Sequence, residues 1–198
     1  EMGNFIAGSN VKKLDIPTHV DRSDGDVHAA GNPHIQQDPH NIAQVAAALA
    51  KRLDDIDPSN AAYYQARYNN FSTRWRAAMQ KWEQQAAPLK NIAVIEHHKN
   101  MAYLLHWLGM RPVGTLEPKP GVEPSATHLT ALLTQLQQQP AKMVLRAAYQ
   151  DDRASKWLVE RTRIAAVVLP FTVGGNQQAK DLFSLFEDTV QRLLEAAK

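Results

Sequence analysis

The sequence predicts an α/β fold: a four-stranded, mostly parallel sheet flanked by helices, preceded by a long connecting helix and a loop-rich amino-terminal segment. Between residues 90 and 198, short apolar runs alternate four times with helical patterns, which is typical of a parallel sheet with helices on both faces. From Tyr63 to Trp82, large aromatic residues together with Met79 recur mostly every three or four positions, which predicts a long helix. The chain is therefore predicted to have three parts. These are a loop-rich amino-terminal segment (1–38), a helical segment with the long connecting helix (39–89) and an α/β lobe (90–198).

The first two parts contain one predicted strand and two helices. Residues 11–16 (VKKLDI) read as a short strand in a segment that is otherwise loop. Asp38 and Pro39 form a helix start, with Asp as N-cap and Pro in the first turn. A second start of the same kind at residues 57–60 precedes the long helix. Its roughly 30 residues span about 45 Å at about 1.5 Å per residue.

The third part is predicted as four strand-then-helix units. The strands are 91–97, 111–117, 141–148 and 164–170. The helices are 100–109, 126–139, 151–162 and 179–198, with Gly109 ending the first of them and Ser125 capping the second.

Composition excludes several kinds of function. The 198 residues contain no cysteine, which rules out disulfides, thiolate metal sites and cysteine nucleophiles. The net charge of +2 and the lack of a basic run with interleaved aromatics give no reason to expect nucleic-acid binding. No run of about 18 apolar residues is present, so no membrane span is expected.

Polar side chains follow the predicted strands, where ligands bind in open α/β sheets. Residues 96–98 (Glu-His-His) come after the first strand and Glu117 after the second, and imidazole and carboxylate are ligands for Zn²⁺ or Mn²⁺. At most one of His97 and His98 should face such a site, because neighbouring strand residues point to opposite faces. A solvated strand end and a surface ion pair are the alternative explanations. Asp151 and Asp152, after the third strand, are expected to start the next helix.

Three histidines fall in residues 25–41 (GDVHAAGNPHIQQDPHN). His40 belongs to the first turn of a predicted helix and should face solvent. Asn32-Pro33 is a turn signal. His28 and His34 lie on an irregular segment, where neither helical spacing nor capping accounts for them.

Together these segments resemble the periplasmic zinc- and manganese-binding receptors of ABC transporters (the cluster A-I type of substrate-binding protein). NPHIQQDPHN is similar to the Asn-Pro-His, then Asp-Pro-x-Asn signature of that family. HHKNMAYLLHWLGM resembles a second motif, in which a histidine is followed five residues later by an aromatic residue and then by a glycine. That register selects His98 with Tyr103, not His97. GTLEPKPGVEPSATHLTALL and VVLPFTVGG resemble one branch of the family.

The resemblance implies that His34 and His98 are metal ligands and that Asp38 and Asn41 hold the loop on the helix. Glu117, Asp151 or His28 could supply a third ligand, and Glu117 is preferred because the loop after the second strand should lie beside His98. His28 matches no ligand position. Family members begin with an α/β lobe that carries another histidine ligand, so the chain is expected to lack that lobe. The acidic ligand common after the last strand is replaced by FTVGGNQ.

The implied function is capture of Zn²⁺ (or Mn²⁺) as a transported ligand in the periplasm and delivery to a membrane permease, without catalysis. A lobe without its companion is expected to dimerise or swap segments. Two alternatives remain at this point. One is a zinc-dependent hydrolase using His28, His34, His98 and a carboxylate, with Glu96 as general base. The other is a receptor for an organic chelate.

Overall fold

The computed structural model describes residues 3–19, 25 and 28–198. The central feature is a parallel four-stranded sheet in the order β2-β1-β3-β4. The strands are β1 Ala93–Glu96, β2 Arg111–Thr115, β3 Met143–Ala147 and β4 Ala165–Leu169. The α-helices are α1 Pro39–Ile56, α2 Ala61–Ala86, α3 Ala102–Leu108, α4 Ala126–Gln138, α5 Arg153–Thr162 and α6 Leu182–Ala197. Among the described residues, no helix has both the length and the apolarity to cross a bilayer.

The predicted fold class is confirmed, and the sheet is parallel throughout. Each strand is followed by a helix, and the helices cover both faces. The face of α2, α3 and α6 is filled by large side chains such as Trp82 and Phe186, whereas Leu132 and Leu158 fill the face of α4 and α5. The strands end together, with Glu96 of β1 opposite Thr115 of β2. Residues that follow β1 and β2 are therefore neighbours.

Helices α1 and α2 form a hairpin, and the carboxyl-terminal half of α2 packs on the sheet lobe. Asp38 caps α1 by accepting the backbone N–H of His40 at 2.8 Å, as predicted. The long helix is shorter than predicted, at 26 residues, because residues on both sides of it form 3₁₀ turns. The indole of Trp75 donates to the carbonyl of Pro39 at 2.8 Å, which joins α2 to the start of α1.

The predicted strand at residues 11–16 is wrong. This segment is irregular and follows a 3₁₀ turn at Ala7–Asn10. Its polar backbone groups bind elsewhere: the N–H of Leu14 donates to the Tyr103 hydroxyl at 3.0 Å, and the carbonyl of Leu14 accepts the N–H of Asn32 at 2.8 Å. With no neighbouring strand to pair with, the alternation of apolar side chains does not produce a strand.

Candidate functional site

His34 lies on the loop that leads into α1, at the start of a 3₁₀ turn over Ile35–Gln37. The side-chain amide of Asn41 donates to the carbonyl of Ile35 at 3.0 Å and so fastens this turn to the first turn of α1. With the Asp38 cap, this contact fixes where the His34 backbone stands relative to the helix. The two residues do hold the loop on the helix in the way that the resemblance implied.

The tautomer of His34 follows from its contact with Asn32. The Asn32 side-chain oxygen accepts the backbone N–H of His34 at 3.0 Å and lies 2.8 Å from His34 Nδ1. Its amide nitrogen faces two oxygens, on Asp15 and Lys99, at 3.3 Å each, so the orientation of the amide is fixed by its partners. Nδ1 of His34 therefore donates, and Nε2 keeps its lone pair for another partner.

Tyr103 anchors the Asn32 backbone. Its hydroxyl donates to the carbonyl of Asn32 at 2.8 Å and accepts from the N–H of Leu14 at 3.0 Å, and the side chain is buried. Helix α3 thus holds both the 11–16 segment and the turn that precedes His34. The sequence placed Tyr103 at the family offset from His98 but gave no reason for it; the structure supplies that reason.

His98 stands just beyond β1, in a bend over residues 97–99, and Glu117 stands just beyond β2. The backbone continues the pairing of the two strands, because the N–H of Glu117 donates to the carbonyl of His97 at 3.1 Å. His98 Nδ1 lies 2.6 Å from Glu117 Oε2, which also accepts the N–H of Gly121 at 2.8 Å. The predicted proximity of Glu117 to His98 is observed. Because the carboxylate accepts at Nδ1, Nε2 of His98 keeps its lone pair.

His34 and His98 line one cavity of about 410 Å³, which we call the histidine cavity. His28 lines it as well, although it matches no ligand position of the family that the sequence resembles. Burial lowers the pKa of His34, and the nearby charges of His98 and His28 lower it further, so His34 is neutral near pH 7. A neutral imidazole is the form that binds metal.

Within the part of the chain that the structure describes, no three His, Asp or Glu side chains already converge as a metal site. Glu117 does not line the histidine cavity; it lines a second one, with His97. The arrangement therefore brings two imidazoles together, with a carboxylate behind one of them. Ligation by His34, His98 and Glu117 stays a prediction.

The other candidates have different surroundings. Glu96 is 2% exposed and accepts the N–H of Met101 at 3.1 Å, and burial raises its pKa to about 7. Asp152 stands at the N-cap position of α5 without a capping hydrogen bond, whereas Asp151 accepts the N–H of Arg153 at 2.8 Å. His40 is exposed, as expected, and pairs with Glu83 at 2.7 Å.

Sequence reasoning missed Phe171, which packs against His34. It follows β4 with φ of 68°, a conformation that is uncommon for a bulky residue. Its ring lies edge-on to His34, with the ring centres 5.5 Å apart, and at the same distance from the exposed ring of Tyr149. No local pattern signals this contact. The loop expected to lack a carboxylate thus places an aromatic ring beside the histidine.

A model of the family described as zinc-uptake complex component A, periplasmic (ZnuA) matches residues 1–196. The chain belongs to the ZnuA family. The high-affinity zinc uptake system protein ZnuA of Brucella abortus is 24% identical over 165 residues, which are 83% of this chain and 48% of that protein. The chain thus spans about half the length of the curated ZnuA relatives that it matches.

Solved structures show the same fold. A crystal structure of ZnuA superposes with a TM-score of 0.78 and 21% identity, covering 98% of this chain and 70% of that one. A nickel complex of FpvC from P. aeruginosa gives a TM-score of 0.68 and 20% identity, covering 85% and 65%. A zinc-bound deletion variant of ZnuA gives 0.73 and 22%, covering 97% and 68%. These structures support the fold, and the match to the family model confirms the predicted family.

Proposed function

We propose that this chain binds a divalent transition metal between His34 and His98 and passes it to an ABC permease in the periplasm. The supporting observation is the geometry of the two rings, which come from distant parts of the chain to one cavity. Each ring has its Nδ1 bound to an oxygen of a neighbouring side chain. Such contacts orient metal-binding histidines and raise their basicity. Membership of the ZnuA family and the named metals of its relatives support the same proposal.

In this proposal His34 and His98 coordinate the metal through Nε2. Asn32 orients His34 and Glu117 orients His98, with hydrogen bonds of 2.8 and 2.6 Å. Direct ligation of the metal by Glu117 is the further prediction from the sequence. The remaining coordination positions are filled by water or by additional donors, because two imidazoles alone leave a tetrahedral ion incomplete.

Zinc is the favoured metal. Imidazole ligands suit Zn²⁺, and for a given set of nitrogen and oxygen ligands Zn²⁺ binds more tightly than Mn²⁺. Competition of the two ions for the purified protein tests this preference. Tighter binding of Mn²⁺ would contradict it.

A receptor fits the site better than the hydrolase considered from the sequence. That alternative assigned Glu96 as the general base, but Glu96 is buried and does not line the histidine cavity. A general base must reach the attacking water directly or through one intervening water.

The decisive experiment is calorimetric titration with Zn²⁺ of the wild type and of His34→Ala, His98→Ala and His40→Ala. We expect each of the first two variants to bind more than about 100-fold more weakly, because the loss of a ligand exceeds the effect of an orienting partner. His40→Ala is the matched control, since this exposed histidine lies outside the cavity. Unchanged affinity in both cavity variants would overturn the ligand assignment.

Delivery to a permease requires a separate test. With the cognate permease in lipid nanodiscs, where both membrane faces are accessible, the zinc-loaded protein should stimulate ATP hydrolysis, and the His34→Ala variant should not. Dimerisation or segment exchange also stays a prediction, which light scattering of the purified chain would test through its molar mass.

A further inference from the structure

We propose that Phe171 positions the imidazole of His34 for metal binding, as the last member of a bridge that begins next to His98. The bridge consists of Asn100, Tyr149 and Phe171, and we call it the strand-end bridge. Its members follow β1, β3 and β4, which are neighbouring strands of the sheet. The inference rests on the proposed function, because it takes both histidines as metal ligands.

The strand-end bridge is an unbroken series of contacts between the two histidines. The backbone N–H of Asn100 donates to the carbonyl of His98 at 2.7 Å, and the Asn100 side-chain amide donates to the hydroxyl of Tyr149 at 2.9 Å. The rings of Tyr149 and Phe171 meet edge-on with their centres 5.5 Å apart, and Phe171 meets His34 in the same way at the same distance. Both ring contacts fall in the range of about 4.5–7 Å that aromatic pairs prefer.

The His34 ring needs a second constraint besides its hydrogen bond. The contact of Nδ1 with Asn32 holds one atom of the ring, and the ring can still turn about that contact. A metal-binding side chain is held precisely when packing and a hydrogen bond act on it together. Phe171 supplies the packing from the loop after β4. The two contacts together therefore restrict where the metal-binding nitrogen of His34 can lie.

The backbone of Phe171 indicates that its placement is enforced. Its φ of 68° lies in a region that bulky residues rarely adopt. Such a conformation persists only where the surrounding contacts over-determine it, and it is found mainly at binding and active sites. Tyr149 supplies one such contact: its ring is 68% exposed, but its hydroxyl is bound to the fully buried Asn100.

Phe171 also packs against the main core, so the experiment has to separate zinc binding from stability. Calorimetric titration with Zn²⁺ and thermal melting are measured for Phe171→Ala, Phe171→Gly and Phe171→Tyr. Both variants without a ring should bind zinc about tenfold more weakly, as expected when an orienting partner is lost. Phe171→Gly should nevertheless melt about 2–4 °C above Phe171→Ala, because glycine adopts a positive φ without strain. Phe171→Tyr keeps the ring and should bind zinc like the wild type.

Tyr149→Phe tests the bridge at an exposed side chain, where misfolding is not expected. It removes the hydroxyl bound to Asn100 and should weaken zinc binding about threefold, which corresponds to the loss of one hydrogen bond. Val173→Ala is the matched control. This residue lies on the same loop as Phe171, is 44% exposed and does not line the histidine cavity, so its variant should bind zinc like the wild type.

Two results would overturn the bridge alone. The first is wild-type zinc affinity in Phe171→Ala, Phe171→Gly and Tyr149→Phe while His34→Ala binds weakly. The second is an affinity that recovers from Phe171→Ala to Phe171→Gly together with the melting temperature, because the ring would then act only through stability. If His34→Ala itself binds zinc like the wild type, the proposed function fails, and the bridge fails with it.

Discussion

Replacing Tyr103 with Phe should loosen the loop that carries His34. The ring is 1% exposed and phenylalanine keeps its packing, so only the hydroxyl is lost. That hydroxyl makes two hydrogen bonds, to the carbonyl of Asn32 and from the N–H of Leu14. Each contributes about 1 kcal/mol, and an orphaned buried carbonyl costs roughly 1–3 kcal/mol. We expect the free energy of unfolding to fall by about 2–4 kcal/mol.

Urea denaturation followed by circular dichroism measures this loss, and the melting temperature should fall by about 5–15 °C. Tyr63→Phe is the matched control, because that side chain is 60% exposed and should change stability by less than about 0.5 kcal/mol. Zinc affinity should also fall, since Asn32 orients His34. A Tyr103→Phe protein as stable as the control variant would refute the anchoring role of this hydroxyl.

Three further perturbations have defined outcomes. Glu117→Gln should weaken zinc binding by about 10–100-fold, as expected for an orienting partner; a loss as large as that of His98→Ala would instead indicate direct ligation. Glu96 has a folded-state pKa of about 7, raised by burial above its usual value of 4.5, so the folded protein binds more protons and stability falls as pH rises from 4.5 to 7. Across this range the wild type should lose about 3 kcal/mol of stability relative to Glu96→Gln in denaturation experiments, and parallel pH curves for the two proteins would contradict the assignment. Trp75→Phe removes the indole N–H bound to Pro39 and should destabilise the protein by about 2–4 kcal/mol in the same assay. The pH dependence of its stability should stay that of the wild type.

Much of the fold could be predicted because each signal was local. The alternation of apolar runs and helical patterns indicates a parallel sheet, and Asp38 and Ser125 mark helix starts through caps that need only their own neighbours. The strand order depends instead on packing between distant segments, which no local pattern contains. The wrong strand at residues 11–16 has the same origin, because its partners are Tyr103 and Asn32 and not another strand.

The candidate site also has some features that the sequence predicts and others that it does not. Parallel strands end at one edge of the sheet, and this rule was sufficient to place Glu117 beside His98. The hydrogen bond between Asn32 and His34 was also within reach, because an Asn side chain often binds backbone two residues later. The surroundings of His97 and the contact of Phe171 with His34 could not be predicted from the sequence. The chain bends at residue 97, so strand alternation no longer determines the surroundings of His97. Phe171 contacts His34 from the carboxyl end of β4, the edge strand farthest from β2.

Because burial is uneven along α2, the two halves of this helix should open in different unfolding events. All three buried residues, Trp75, Trp82 and Ala86, lie in the second half of the helix. The first half is held chiefly by α1, of whose far end only Ala50 is buried. Backbone amides near Tyr63 should therefore exchange with deuterium through partial opening of the hairpin. Those around Trp82 should exchange only when the whole lobe unfolds, so one continuous helix belongs to two cooperative units.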